Sequence, residues 1–293
     1  MKKIFQVLPF LLGLSFVCGQ INAQGIEVPY YDTTQMITKH YGYTLLYNES
    51  HEQADWVAYE LTASETEGPI DRTDDFRRDP AITTGSAELS DYKYSGYDRG
   101  HLIPAGDAQW SERAMTATFV LSNMSPQEPS FNRGDWRKLE SYVRSWAKEN
   151  GVLYVVTGPV LKQGVKGRIG SNQVSVPRYY YKVVLDYKGN EKKGIGFIMS
   201  NRKLNRPVKA YSVTIDSVEA FTGIDFFHQV PDSTEEQIES YYNLSQWSFD
   251  NRSSSIKRQE IQSSATRCKG TTLDGDRCKR RTTNESGYCW QHQ

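Results

Sequence analysis

The predicted strands of this chain outnumber its predicted helices and do not alternate regularly with them. Runs of β-branched and aromatic residues predict strands over the following ranges: 42–47, 55–61, 119–121, 152–157, 178–187, 194–200 and 211–215. Helices are predicted over 111–117, over about 133–150 and in a short stretch after residue 215, and residues 65–91 read as a long loop. This order favours an α+β fold over a doubly wound α/β sheet, in which strands and helices would alternate.

The helix over residues 133–150 carries the clearest amphipathic pattern. Its apolar side chains recur at spacings of three and four residues and form one stripe: Trp136, Leu139, Val143 and Trp146. Gly151 is the expected left-handed residue at its carboxyl end. In the shorter helix, Asp216 and Glu219 are predicted to form the amino-terminal cap, and Gly223 ends it.

The amino terminus has the pattern of an export signal. Two lysines precede the apolar run 4–18, and Ala23 offers a small residue for cleavage, so residues 1–23 are predicted to be a signal peptide. One alternative is a membrane anchor, but the run is shorter than the roughly 20 residues that span a bilayer. A second is a lipid on Cys18, against which the bulky Val17 argues. We therefore expect a secreted or periplasmic protein with no stable membrane association.

The remaining cysteines all lie near the carboxyl terminus. Cys268, Cys278, Cys289 and His292 offer three thiolates and an imidazole, which together complete a tetrahedral zinc site. The alternative is a disulfide, but three thiols can form only one disulfide and would leave one cysteine unpaired. We thus predict a small Cys3His module at 267–293, a Ser-rich linker at 251–266 and a main domain at 24–250 that is held by its own core.

Charge is balanced overall but segregated along the chain. Residues 162–209 carry 12 basic and two acidic side chains, whereas residues 210–250 carry eight acidic side chains and no lysine or arginine. The basic segment is either ordinary solvated surface or a track for a phosphate backbone.

The sequence Asp98-Arg99-Gly100-His101 is the first candidate for catalysis. A histidine is suited to take a proton near neutral pH, and an arginine is a natural phosphate clamp. A histidine that only satisfies a structural role is the alternative.

A second candidate site lies at the start of the long predicted helix. Asn132 and Glu140 are eight residues apart, on one broad side of that helix, and both offer the hard oxygen ligands that magnesium prefers. Asn132 would also serve as a helix N-cap, alone or in addition to binding metal.

Three elements in this order resemble the DNA/RNA non-specific endonuclease family: Asp-Arg-Gly-His at 98–101, Ser-Asn-x-x-Pro-Gln at 122–127 and Asn-x-x-x-Trp-x-x-Leu-Glu at 132–140. The resemblance extends from Tyr43 to Val230. It implies a ββα-metal (His-Me finger) fold with a mainly antiparallel central sheet, in which two strands and a helix place a histidine opposite one magnesium ion.

The resemblance also implies roles for individual residues. The general base falls on His101, the direct magnesium ligand on Asn132 and the carboxylate that holds metal-bound waters on Glu140. Asn123 is expected to line the same site, and Arg99 to contact the phosphate or support the site.

The family places a further arginine upstream of the histidine motif. Arg72 fits this position best, four residues before Phe76, and Arg77 and Arg78 are the alternatives.

The expected function is therefore that of an exported nuclease that uses Mg2+, or Mn2+ in its place. It would hydrolyse DNA and RNA with little sequence preference and leave 5′-phosphate ends. One alternative restricts the enzyme to one nucleic acid, and another is a non-catalytic extracytoplasmic nucleic-acid-binding protein. The sequence is compatible with a monomer or a homodimer.

Overall fold

The computed structural model describes residues 25–189, 191–250, 266–271, 277–278, 281–282 and 286–288. The predicted signal peptide, all but the last residue of the predicted linker, Cys289 and His292 lie outside the described residues. Within these ranges, no helix has both the length and the apolar character needed to cross a membrane.

Thirteen strands are present in the described ranges. In chain order they are β1 (Ile37–His40), β2 (Tyr43–Asn48), β3 (Gln53–Thr62), β4 (Asp98–His101), β5 (Met124–Gln127), β6 (Val152–Pro159), β7 (Val165–Ile169), β8 (Val174–Pro177), β9 (Tyr179–Asp186), β10 (Lys193–Ser200), β11 (Ser212–Val213), β12 (Thr266–Arg267) and β13 (Arg281–Thr282). The α-helices are α1 (Leu89–Tyr92), α2 (Glu112–Ala117), α3 (Arg137–Asn150), α4 (Ile215–Thr222) and α5 (Asp232–Ser240).

Seven strands form a central sheet in the order β1-β2-β3-β6-β9-β10-β11. Every neighbouring pair in it is antiparallel. Two-stranded pairs β4-β5, β7-β8 and β12-β13 accompany it. The predicted α+β class with a central antiparallel sheet is confirmed.

The two faces of the central sheet bury different helices, because successive side chains of a strand point to opposite sides. On one face, Tyr59 and Val155 pack with Leu139, Val143 and other residues of the α3 stripe. On the other face, α4 and α5 contribute buried residues to a second core, among them Val218 and Ile238.

The chain end of the main domain folds back onto α3. Trp146 stacks edge-to-face with Trp247 at 4.8 Å between ring centroids and with Phe249 at 5.3 Å. Its indole Nε1 donates to the carbonyl of Ser248 at 2.5 Å. Trp247 is itself buried, so residues up to about 249 belong to this core.

Two local predictions are wrong. Residues 119–121 form no strand, because Val120 makes only one isolated bridge to Arg77 before a 3-10 turn begins at Leu121. The strand predicted over 211–215 is limited to β11, because the next residue, Thr214, already caps α4.

The cap of α4 is also different from the prediction. The Thr214 hydroxyl accepts a hydrogen bond from the amide of Ser217, so the cap lies two residues before Asp216. Glu219 points elsewhere and accepts from the amide of Phe226 at 2.7 Å. Gly223 ends the helix at φ +76°, as expected.

Candidate active site

The histidine motif lies on a pair of short strands. β4 and β5 are antiparallel, with His101 opposite Met124 and Gly100 opposite Ser125. A Cβ at Gly100 would lie 2.3 Å from the buried side chain of Gln127. Glycine therefore fits beside the histidine because the side chain of Gln127 occupies the space that a larger residue would need.

His101 is enclosed by aromatic rings. Phe76 and Phe119 meet its imidazole edge-to-face, with ring centroids 5.6 and 5.1 Å away. Only 7% of the residue is exposed, and its Nε2 has no hydrogen-bond partner in the described part of the chain. Burial, reinforced by the positive charges of Arg72 and Arg99, lowers the pKa of His101 from 6.5 to about 3. The imidazole is therefore neutral at physiological pH, and its Nε2 is not engaged by any other described residue.

Two arginines flank this histidine. The guanidinium carbon of Arg99 lies 4.1 Å from the centroid of Phe76, and that of Arg72 lies 4.9 Å from the centroid of Phe119. Arg72 is further held by Asp74, with Nε 2.6 Å from Oδ1. Both arginines line the same cavity as His101.

The two alternatives for the upstream arginine lie elsewhere. Arg77 donates to Asp75 and to the carbonyl of Thr116, and it lines a different cavity. Arg78 faces Glu88 at 3.8 Å. Geometry thus favours Arg72 among the three candidates.

Asn132 lies inside a helix rather than at its cap. Ser130, two residues before Asn132, already has helical dihedral angles, and Phe131–Trp136 forms a π-helical turn that leads into α3. The N-cap alternative for Asn132 is therefore wrong.

The orientation of the Asn132 amide is set by Asp98. Its Nδ2 donates to Asp98 Oδ2 at 2.9 Å, and Asp98 is also held by Arg133 through contacts of 2.8 and 2.6 Å. Because the amide nitrogen is committed to Asp98, the carbonyl oxygen of Asn132 remains available to a ligand.

Glu140 lies in the first turn of α3 and is surrounded by positive charge. Burial raises the pKa of its carboxyl, and the nearby Arg144 and Lys182 counteract this rise. Arg144 in turn donates to Asp107 at 2.8 Å, and the Tyr59 hydroxyl donates to the same carboxylate at 2.9 Å. These cations favour the ionised form of Glu140.

One cavity of about 240 Å³ joins these residues. It is lined by Arg72, Arg99, His101, Pro104, Ala105, Gly106, Asn132, Arg133, Arg137, Glu140 and Arg144. A larger cavity of about 690 Å³, near Tyr31 and Lys162, contains none of the motif residues. The set of functional groups, and not cavity volume, therefore identifies the candidate site.

Asn123 does not line this cavity. Its side chain is fully buried, accepts from the amide of Ile103 at 3.0 Å, and donates to the carbonyls of Ile103 and Thr118 at 3.0 and 2.8 Å. It fixes the backbone that follows His101.

The oxygen donors in the cavity fit a hard divalent cation. Asn132 and Glu140 line the same cavity, and their side-chain oxygens suit an ion that keeps most of its waters. No thiol or second imidazole is present among the cavity residues, so the donor set disfavours a soft metal.

Several charged residues of the site were not predicted, among them Arg133, Arg137, Arg144 and Lys182. Arg137 and Arg144 lie three residues before and four residues after Glu140, so helical spacing alone places them on its face. Lys182 lies on the same face of β9 as the buried Tyr180 and Val184. A lysine between apolar residues of one strand face indicates a buried cation.

The zinc prediction stays a prediction. Cys268 and Cys278 are buried and belong to one small cluster, and the Gly270 amide donates to Cys268 Sγ at 3.3 Å. The other two expected ligands lie outside the described residues.

Comparison with known proteins agrees with this geometry. A family model described as DNA/RNA non-specific endonuclease matches residues 22–233. A nuclease of Nostoc sp. is 37% identical over 210 residues, which cover 68% of this chain and 75% of the relative. Human mitochondrial endonuclease G is 36% identical over 198 residues, which cover 63% and 67%.

Similarity also extends to a solved structure. A crystal structure of an EndoG/EndoGI complex matches with a TM-score of 0.64 and 33% identity, over 70% of this chain and 89% of that chain. The resemblance seen in the sequence is thereby confirmed. The chain belongs to the DNA/RNA non-specific endonuclease family, whose members are metal-dependent nucleases that hydrolyse phosphodiester bonds, and it is such an enzyme.

Proposed function

We propose that this protein is an exported, Mg2+-dependent endonuclease that cleaves both DNA and RNA with little sequence preference. The main support is the cavity in which the neutral, enclosed His101 shares one space with the oxygen donors of Asn132 and Glu140. Its remaining charged residues are arginines, whose guanidinium groups pair with phosphate oxygens, and contacts to phosphate carry no sequence information.

Asn132 would hold the metal ion directly, and Glu140 would hold it through bound water. Bound there, Mg2+ or Mn2+ supplies positive charge to the scissile phosphate as negative charge develops. Arg144 and Lys182 oppose the burial that raises the pKa of Glu140 to about 7, so a substantial fraction of this carboxyl is ionised at neutral pH. Asp98 engages the amide nitrogen of Asn132, which leaves the carbonyl oxygen available.

The proton chemistry belongs to His101. Its neutral imidazole takes a proton from the water that attacks phosphorus. The bond between phosphorus and the 3′-oxygen breaks, and that oxygen takes a proton from solvent, so a 5′-phosphate and a 3′-hydroxyl are left. Arg72 and Arg99 donate to phosphate oxygens as their charge increases. Asn123 is a positioning residue, because it fixes the backbone next to His101 without reaching the cavity.

The decisive experiment measures cleavage of plasmid DNA and of a structured RNA by the wild type and His101→Ala. We expect the variant to lose about 10²–10⁴-fold in rate on both substrates while it retains DNA binding. His51→Ala is the matched control, because His51 contacts Ser175 and lies outside the cavity.

Two outcomes would contradict the proposal. Unchanged cleavage by His101→Ala would exclude His101 as the general base. Cleavage that survives chelation of divalent ions would exclude a catalytic role for the metal. Restoration by Mg2+ after chelation, on DNA and RNA alike, is the result we expect.

Export and the zinc module are tested on the same protein. Amino-terminal sequencing after expression in an exporting host should find Gln24 first, which an uncleaved chain would contradict. The purified chain should contain one zinc ion, and Cys278→Ser should lose it if the four carboxyl-terminal ligands form the site.

A further inference from the structure

A second group of acidic side chains lies where α4 and α5 meet, on the face of the central sheet opposite α3. Asp216 and Glu219 come from α4 and Glu239 from α5. One carboxylate oxygen from each residue lies within 4.8 Å of the other two. None of the three residues lines the active-site cavity.

Glu239 is the unusual member of this group. Only 6% of the residue is exposed, and its Oε1 has no hydrogen-bond partner among the described residues. A buried carboxylate oxygen without a donor is costly, because protein groups have not replaced the water that it lost. One carboxylate oxygen of Glu239 lies within 4.8 Å of an oxygen of Asp216 and of Glu219.

The surroundings increase the negative charge instead of balancing it. The charged groups that act most strongly on Glu239 are four carboxylates: those of Glu219, Glu235, Asp216 and Asp225. The whole segment 210–250 contains no lysine or arginine. Three carboxylates held so close together are therefore suited to a multivalent cation from solution.

The geometry has both a fixed and an open side. Glu219 is held in place by the amide of Phe226, whereas Asp216 is exposed and leaves a route from solvent. Three carboxylates from two helices suit Ca2+, which takes about six to eight oxygen ligands in a flexible geometry. They suit Mg2+ less well, because Mg2+ usually keeps several waters and takes only one or two carboxylates.

We propose that Asp216, Glu219 and Glu239 form a calcium site that is separate from the catalytic metal site and clamps α4 to α5. Water would complete the coordination on the exposed side of Asp216. The proposal does not depend on the catalytic assignment, because it rests on residues of the opposite face of the sheet.

The competing explanation is a proton shared between Glu219 and Glu239, with no metal. Calorimetric titration of Ca2+ into the Asn132→Ala protein separates the two, because the active site is then disabled as a binding site. We expect one binding event, which disappears when Glu239→Gln is added to the Asn132→Ala background. Glu236→Gln is the matched control, because Glu236 is an exposed residue of the same helix outside the group.

Thermal unfolding provides a second measurement. At ten times its dissociation constant, Ca2+ should raise the melting temperature of Asn132→Ala by about 3–6 °C. The Glu239→Gln double variant should show no increase, and the Glu236→Gln double variant should show all of it. If Glu239→Gln fails to fold, the exposed Asp216→Asn should weaken Ca2+ binding at least several-fold.

Equal Ca2+ binding with and without Glu239→Gln would overturn the proposal, as would no binding at millimolar Ca2+. Nuclease activity distinguishes this failure from failure of the catalytic assignment. In the otherwise wild-type chain, Glu239→Gln should retain cleavage of plasmid DNA whether or not calcium binds.

Discussion

Glu140, which is partly buried, and Glu239, which is buried, lie on opposite faces of the central sheet and differ in the charges around them. Burial is the largest cause that raises the pKa in both. At Glu140 it is helped by Asp107 and opposed by Arg144, Lys182 and Arg72, so the pKa rises only to about 7. Around Glu239 the neighbours are carboxylates, and its pKa rises to about 9. Burial thus sets the energetic cost of a charge, whereas the neighbouring groups decide whether the protein itself or a bound ion must compensate for it.

The same contrast gives the molecule an electrostatic direction. Arginines line the cavity on the α3 face, and acidic side chains dominate the α4–α5 segment. A polyanion is therefore attracted to the first region and repelled by the second, so it approaches the catalytic groups without competition from the acidic side.

The strongest test exchanges each of the two carboxylates for an amide. Glu140→Gln should lower the rate of plasmid cleavage by about 100-fold, because a neutral amide holds metal-bound water less well. Glu239→Gln is the matched change on the opposite face and should leave the rate near that of the wild type. Equal losses in the two variants would contradict the separation of roles.

The next test concerns His101, where burial disfavours a positive charge and therefore lowers the pKa instead of raising it. The pKa of His101 is about 3 in the folded chain and about 6.5 when unfolded, so between these values the unfolded state binds the extra proton. Stability is therefore lost as pH falls below about 6.5, by about 2 kcal/mol at pH 5. Urea unfolding should show a smaller loss between pH 7 and pH 5 in His101→Gln. An identical loss would mean that other groups cause it.

A third test removes the buried cation beside Glu140. Lys182 is fully buried, its Nζ has no hydrogen-bond partner among the described residues, and it lies 5.1 Å from the centroid of Trp136. Lys182→Met should raise the Mg2+ concentration needed for half-maximal cleavage by about 10-fold. Lys188→Met, which changes an exposed lysine, is the control. An unchanged Mg2+ requirement would show that Lys182 does not support Glu140.

The smallest expected effect comes from placing a cation in the acidic group. Asp216→Lys should stabilise the calcium-free protein by up to about 1 kcal/mol, since an exposed ammonium would face Glu219 and Glu239. Its melting temperature in a chelator should exceed that of the wild type by about 2–4 °C, and added Ca2+ should no longer raise it. A decrease below the wild type would argue that Glu239 is already compensated by a proton.

Much of the candidate site could be predicted because its residues lie in short local motifs. Positions 98–101 and 132–140 carry most of the functional groups, and the fold brings Arg72 to them. Asn123 was expected to line the cavity, but its amide donates to the backbone carbonyls of Ile103 and Thr118 instead. Only the packed structure shows this orientation.

The remaining features depend on contacts between distant segments. Nothing near Lys182 in sequence indicates that Glu140 and Trp136 will cover it, since that depends on the register of β9 beneath α3. Helix α5 was not predicted, because it has little apolar pattern besides Ile238. The meeting of Glu239 with Asp216 was therefore beyond sequence reasoning.

The return of the chain end onto α3 extends the physical domain beyond the residues that match the family model. That match ends at residue 233, yet Ile238 and Trp247 beyond it are buried, and the indole N–H of Trp146 donates to the carbonyl of Ser248. A polypeptide trimmed at residue 233 would expose aromatic surface on the very helix that begins beside Asn132. Residues 242–249 thus support the catalytic helix, and any minimal functional fragment has to include them.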